Sequence, residues 1–167
     1  DVLIPSFIAA YTNKDPNSVS LIEQENGDIK SNPFRKIMPK PNWRVTYTGL
    51  TRIPALEKTF TSFTLTHAYT SNLSMNSFNN NLLFQDPFNY NAPGFIDTAT
   101  GNFYPYFLVP NISISEAFAP FIDIDMQFTN QLTVRFEYKK SRQLSLSLID
   151  FQLSEARSEE FTIGVGW

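Results

Sequence analysis

The sequence has no cysteine and only one histidine among its 167 residues. Disulfide scaffolds and thiolate metal sites are therefore excluded, although the absence of cysteine does not identify the compartment, because many cell-envelope proteins also lack it. Charged residues are scarce, at 17%, and the net charge of -3 argues against a basic surface that would hold phosphate backbones. We therefore expect no nucleic acid among the partners.

Long apolar runs are missing as well. No window of about 18 consecutive apolar residues occurs, which excludes a membrane-spanning helix but not membrane-spanning strands. Aromatic residues, in contrast, are abundant, at 15% of the chain with 16 Phe and 7 Tyr. Because the chain begins at Asp1 without a Met or a leader peptide, we expect a piece of a longer protein.

Motifs that carry catalytic chemistry are also missing. The sequence contains no phosphate-binding loop, dinucleotide fingerprint or nucleophile elbow. His67 lies on an apolar strand face without partners for a metal site or a triad, which favours a structural role. Asp123 and Asp125 are spaced by roughly 7 Å, like some glycosidase carboxylates, but any alternating strand with two acids has this spacing. We expect no enzymatic activity, no cofactor and no metal.

Residues 1–41 differ from the rest of the chain. A short helix is predicted near the start, where Pro5 fits a first turn. Its apolar residues at roughly helical spacing are Leu3, Phe7, Ala10 and Tyr11. A polar connector follows, with turn signals at Asn26-Gly27 and Asn32-Pro33. The sequence therefore predicts a helical or extended arm before the main fold.

From residue 42 onward, apolar residues recur at every second position, which predicts β-strands. One strand is predicted in the stretch "NWRVTYTGL", and an unusually long one runs from Phe63 to Met75. Residues 76–107 are rich in Asn, aromatics, Pro and Gly without alternation, and predict a long loop.

Short strands and turns fill the C-terminal third. Strands are predicted on both sides of a break at Ala119-Pro120, and "TNQ" predicts a hairpin turn after Phe128. The stretch "KKSRQ" is interpreted as a second separation, before a strand carrying Leu144, and "EEFTIGVGW" predicts the last strand. About seven strands result, and short connections favour an antiparallel meander.

The strands between 121 and 139 have two chemically distinct faces. The apolar face carries Ile122, Ile124, Met126, Phe128, Leu132, Val134, Phe136 and Tyr138. The polar face carries Asp123, Asp125, Gln127, Arg135, Glu137 and Lys139. A soluble β-sandwich, acting as a surface binding module through the loop at 76–107, also produces such alternation.

Three features favour an outer-membrane barrel over the sandwich: strand runs near 10 residues, aromatics bracketing the apolar face, and a long loop on only some connections. The bracketing aromatics are Trp43, Tyr47, Tyr69, Tyr138 and Trp167. The predicted fold is all-β, with antiparallel transmembrane β-barrel strands at 42–167 and the arm at 1–41. On this interpretation, the apolar face is lipid-facing and the polar face is lumen-facing.

Several long segments then resemble a known family. They are "DVLIPSFIAAYT", "PKPNWRVTYTGL", "FTSFTLTHAYTSNLSMNSF", "ISISEAFAPFIDIDMQFTNQLTVRFEYKKSRQLSLSL" and "QLSEARSEEFTIGVGW". In this order they resemble a region near the C-terminal end of SprA/Sov, the outer-membrane translocon of the type 9 secretion system of Bacteroidota. The likeness covers nearly all of the chain and is weakest in the loop at 76–107.

The resemblance implies a fragment of a very large single-chain barrel in the bacterial outer membrane. Such a barrel exports folded cargo that carries a C-terminal secretion signal. It implies as partners the remaining segments of the translocon chain, a PorV-like outer-membrane barrel, a periplasmic plug protein, and lipid with lipopolysaccharide. It implies no enzymatic activity. The arm at 1–41 is expected inside the lumen or against the periplasmic rim.

Overall fold

The computed structural model describes residues 3–18, 24–25, 28–29, 40–77, 79–84, 95–102, 104 and 107–167. Within them the helices are α1 (Leu3–Thr12) and α2 (Pro54–Glu57), with single 3-10 turns at Pro16–Ser18 and Gly49–Arg52. The strands are β1 (Gln24–Glu25), β2 (Asp28–Ile29), β3 (Trp43–Tyr47), β4 (Phe60–Asn76), β5 (Asn79–Asn80), β6 (Phe107–Leu108), β7 (Asn111–Phe128), β8 (Thr133–Ser147) and β9 (Gln152–Gly166).

The main sheet has five strands in the order β3-β4-β7-β8-β9, so β3 and β9 form its two edges. β3 and β4 are antiparallel, with Trp43 opposite Tyr69 and Tyr47 opposite Leu65. β7 and β8 form the hairpin predicted at "TNQ", where the Phe128 N–H donates to the Leu132 carbonyl at 2.8 Å. The predicted antiparallel β architecture with a short N-terminal helix is therefore confirmed, as an open sheet.

Two predicted strand breaks are wrong. β7 continues through Ala119-Pro120, whose peptide bond is cis, and β8 continues through "KKSRQ". The polar residues of "KKSRQ" resembled a turn, but in the strand they pair with acids on β9: Lys140 lies 3.4 Å from Glu159, and Arg142 lies 2.7 Å from Glu155. The sheet therefore has fewer and longer strands than predicted.

The chain divides into two compact units, of which unit 1 comprises Asp1–Pro39, Ser74–Ser113 and Ser145–Leu153. Its buried apolar side chains are Ile4, Ile8, Ala9, Tyr11, Val109, Ile112 and Leu146. Helix α1 confirms the predicted helix and Tyr11 of the predicted stripe is buried, but Leu3 and Ala10 of that stripe are exposed, whereas Ile4 and Ile8 are buried. Two adjacent stripes fit a helical period here, and periodicity does not choose between them.

Short ladders interrupt the predicted connector and loop of unit 1. β1 pairs with β2, and β5 pairs with β6 through Asn79 opposite Leu108 at the base of the segment predicted as a loop. The turn signals Asn26-Gly27 and Asn32-Pro33, and much of the segment between β5 and β6, lie outside the described residues.

Unit 2 comprises Lys40–Leu73, Ile114–Leu144 and Ser154–Trp167. Within it, the close approach of Gly166 to the Thr133 side chain gives a stability prediction. A methyl group added at Gly166 would lie 2.6 Å from Thr133 Oγ1. We expect Gly166→Ala to lower the free energy of unfolding by about 1 kcal/mol through overpacking. Urea unfolding followed by circular dichroism measures this.

Gly164→Ala is the matched control. Its added Cβ would lie 3.8 Å from Arg135 Cβ, an ordinary contact, so the substitution should be neutral or stabilising by about 0.5 kcal/mol. Thr133→Ala should restore stability to the Gly166→Ala variant. Equal effects of the two glycine substitutions would contradict this account of Gly166.

Candidate functional site

One row of aromatic rings crosses all five strands within unit 2, and we call it the aromatic row. It consists of Trp43 on β3, Tyr69 on β4, Phe118 and Phe121 on β7, Tyr138 on β8 and Phe161 on β9. Successive ring centroids lie 4.5, 4.9, 5.3, 5.6 and 4.4 Å apart, with stacked pairs at both ends. These distances are within the range of direct ring contact, so the row forms a continuous aromatic band.

His67 extends this band. Its ring centroid lies 5.7 Å from that of Phe118 and 6.3 Å from that of Trp43, and its Nδ1 is 2.6 Å from the Phe121 carbonyl oxygen. Within the described ranges, no group of three or more His, Asp or Glu side chains could hold a metal ion. His67 therefore packs against rings of the aromatic row and makes a hydrogen-bonding contact with the Phe121 carbonyl.

A row of charged side chains lies beside the aromatic row, and we call it the charged row. It consists of Lys40, Glu116, Lys140, Arg142, Glu155, Arg157 and Glu159. Glu116 accepts hydrogen bonds from Lys40 Nζ and, at 2.9 Å, from the Tyr69 hydroxyl, which joins the two rows. Alternation along β8 places Tyr138, Lys140 and Arg142 on one face, so both rows share that face.

Exposed apolar residues occupy the same face on the opposite side of the aromatic row. On β9, Ile163 and Val165 are 72% and 70% exposed, and on β3, Val45 is 57% exposed. An unpartnered apolar surface of this kind is unusual on a water-soluble protein. The face therefore changes from apolar through aromatic to charged along the strands.

The opposite face carries a ladder of ion pairs, and four of the six predicted polar residues belong to it. Arg135 donates to both carboxylate oxygens of Asp123, at 3.2 and 3.3 Å. Glu137 lies between Arg135 and Lys139, at 3.8 and 3.2 Å. Lys139 also reaches Glu160 on β9 at 3.5 Å. Opposite charges therefore alternate across three strands.

The remaining predicted residues are placed as follows. Asp125 and Gln127 are exposed, and the Gln127 carbonyl accepts a hydrogen bond from the Thr61 hydroxyl at 3.1 Å. All eight predicted apolar residues are half-buried: Ile122, Ile124, Met126, Phe128, Leu132, Val134, Phe136 and Tyr138. Since Asp123 is held by Arg135, the geometry of Asp123 and Asp125 gives no sign of a paired catalytic acid and base.

Sequence reasoning missed Glu116, Phe118, Phe121 and Arg142. Phe118 and Phe121 are three residues apart and so fall outside a simple alternation, although their rings are in contact. The sequence pattern predicts Arg142 in a separation between strands. The one available signal was the recurrence of charged residues two positions apart, at Lys140 and Arg142, directly after Tyr138.

A shallow pocket of about 460 Å³ lies between the aromatic and charged rows of unit 2. Its lining includes Trp43, Tyr69, Phe118, Glu116, Lys140 and Arg142. Aromatic faces and charged groups thus converge on one concave surface, which makes it a candidate binding site.

Comparisons with known proteins leave the site to be interpreted from its own geometry. No protein-family model and no curated protein matches this chain. Among the described helices, neither is of a length and apolarity that would carry it across a membrane. The two-faced sheet of unit 2 is therefore the feature from which function can be argued.

Proposed function

We propose that this chain forms part of the wall of a protein-conducting outer-membrane channel of the SprA/Sov kind, which exports folded cargo in type 9 secretion. The aromatic row carries this proposal, because it separates an exposed apolar band from a charged row on one face of the sheet. Membrane-spanning barrels present the same sequence of surfaces to the bilayer: an apolar band bordered by aromatic girdles at the level of the headgroups.

The dimensions of the apolar band support this proposal. From Phe118 in the aromatic row to the end of β7 at Phe128 there are about ten strand rises, or roughly 34 Å. At a tilt of about 40° this length spans roughly 26 Å along the membrane normal, close to the usual apolar height of about 25 Å. The apolar band is therefore long enough to cross a bilayer.

The opposite face suits a watery lumen. The ion pairs of Asp123, Arg135, Glu137 and Lys139 alternate in sign, and basic side chains that are 38% to 52% exposed lie over acids that are 14% to 16% exposed. Charge on a wetted surface avoids the desolvation cost of burial in lipid or in an apolar core. A channel wall that carries both positive and negative charges gives little ion selectivity, which fits a wide passage for folded proteins.

Both sheet edges are available for further strands. β9 is exposed along nearly its whole length and β3 along all of it. An edge strand presents unpaired backbone groups, and a barrel pairs them with the next strand. In this proposal, the remaining segments of the translocon chain continue the wall on each side. The resemblance adds the PorV-like barrel, the periplasmic plug protein and the signal-bearing cargo as partners.

The alternative of a soluble sandwich would require a second sheet over the apolar face. The exposures of Phe161, Ile163 and Val165, at 64% to 72%, show no such cover by the described part of the chain. This observation favours lipid as the missing neighbour of the apolar face.

Extraction from the native membrane tests the proposal. We expect the chain to be recovered only in detergent, within a particle of hundreds of kilodaltons. Mass spectrometry of the co-migrating material should find further peptides of the same long product and a PorV-like barrel. Recovery without detergent as a species near the 19.1 kDa of the chain would overturn the proposal in favour of a soluble module.

A further inference from the structure

The pocket between the aromatic and charged rows has an arrangement that suits an amphiphile. On one side its wall is formed by the stacked rings of Trp43 and Tyr69, whose planes are inclined by 28°. On the other side lie Lys140 and Arg142, whose side chains are 50% and 44% exposed. A molecule in this pocket therefore meets aromatic surface at one end and cationic groups at the other.

The charge of this face favours an anion. The charged row has four cations, Lys40, Lys140, Arg142 and Arg157, and three acids, Glu116, Glu155 and Glu159. On the opposite face, the three cations Arg44, Arg135 and Lys139 are accompanied by the four acids Asp123, Asp125, Glu137 and Glu160. The balance is thus positive by one charge in the charged row and negative by one on the other face.

We infer that this pocket binds the phosphate-bearing headgroup of a membrane lipid. The inference rests on the proposed function, since the aromatic row then lies at the headgroup level of the bilayer. The phosphate would accept hydrogen bonds from Lys140 Nζ and the Arg142 guanidinium. The acyl chains would lie across Phe118 and the apolar band beyond it.

The existing ion pairs leave room for this ligand. Lys140 and Glu159 are each 50% exposed, and exposed pairs contribute little, so exchanging Glu159 for a phosphate costs little. Arg142 donates to Glu155 through Nε and lies 4.0 Å from Glu116 through Nη1, but a guanidinium carries five N–H donors, so it can hold a phosphate at the same time. Glu116 is occupied by Lys40 and Tyr69, which reduces its repulsion of an anion.

The test compares the intact particle carrying wild-type chain with a particle carrying Lys140→Gln and Arg142→Gln. After delipidation in detergent, each is titrated with dioctanoyl phosphatidylglycerol, and bound lipid is counted by native mass spectrometry. We expect the double variant to bind about tenfold less tightly, since each interfacial cation contributes measurably to the attraction of anionic lipid. Undiminished binding by the double variant would overturn the inference.

Lys139→Gln provides the matched control. Lys139 is adjacent in sequence to Lys140 and similarly exposed, but it lies on the opposite face with Glu137 and Glu160. The Lys139→Gln particle should bind lipid like the wild type. An equal loss of binding in this control would show a general charge effect and overturn the site.

A parallel titration with inorganic phosphate should compete only weakly with the lipid, because free phosphate makes no contact with the aromatic row. Equal competition would identify an anion site and overturn the lipid as its occupant.

The outcomes separate this inference from the proposed function. If the double variant fails to assemble, the lipid titration uses Lys140→Gln alone. This substitution removes one exposed ion pair and should weaken lipid binding severalfold. A detergent particle with normal composition but unchanged lipid binding would contradict the headgroup site and leave the channel proposal standing. A soluble chain recovered without detergent would contradict both.

Discussion

Ile163→Arg should reduce the amount of folded chain in the outer membrane and lower its free energy of unfolding from bilayers by roughly 1 to 2 kcal/mol, because Ile163 lies two strand positions from Phe161 of the aromatic row and the cost of a cation on the lipid face falls from the midplane toward the headgroups. Ile163 is 72% exposed on β9. In water, an exposed substitution of this kind would change stability by about 0.5 kcal/mol or less. Lipid and water around the apolar face therefore predict different losses in the free energy of unfolding for the same substitution. Urea unfolding of the chain in lipid vesicles measures this loss.

The neighbouring residue supplies the control for this experiment. Thr162 lies on the opposite face of β9, where its hydroxyl donates to Glu160 at 3.4 Å. Thr162→Arg adds the same charge on the side proposed to face the lumen, beside an acid, and should be tolerated. If both arginine variants were tolerated equally, the apolar face would not be in contact with lipid.

The alternation of residues along the strands predicted the chemistry of both faces from the sequence. Alternation is a local property with a period of two, so the grouping of Arg135, Glu137 and Lys139 follows directly from strand geometry. Which neighbours they would pair with did not follow, because strand register is set by contacts between segments distant in the sequence. The bidentate bond between Arg135 and Asp123 became visible only in the structure.

The aromatic row is a second example of contacts between strands that the sequence does not predict. Trp43, Tyr69 and Tyr138 were individually recognisable as aromatics bracketing an apolar face. These residues form one continuous aromatic row only because Phe118 and Phe121 lie between them and connect the ring on β4 with the ring on β8. Phe118 and Phe121 are three residues apart, which does not fit a simple alternation. Charged residues in "KKSRQ" were also misassigned, because a run of polar residues is typical of turns unless opposite charges on a neighbouring strand pair with them.

Ile8→Ala should destabilise the packing of helix α1 by about 2 to 5 kcal/mol, the usual cost of a cavity left by a large aliphatic side chain. Ile8 is fully buried in unit 1, and Ile4 beside it on the same stripe is only 1% exposed. A helix of 10 residues has little stability of its own and depends on burial of its apolar stripe. Amide hydrogen exchange within α1 should therefore accelerate by at least about 30-fold, the equivalent of the lower limit of this cost.

Leu3→Ala in the same helix is the control, because Leu3 is 48% exposed and its truncation should change the exchange of α1 by little. Slow exchange in the wild type, lost only in Ile8→Ala, would mean that α1 is a docked part of unit 1. Fast exchange in the wild type, or equal acceleration in both variants, would contradict the docking of α1 through Ile8.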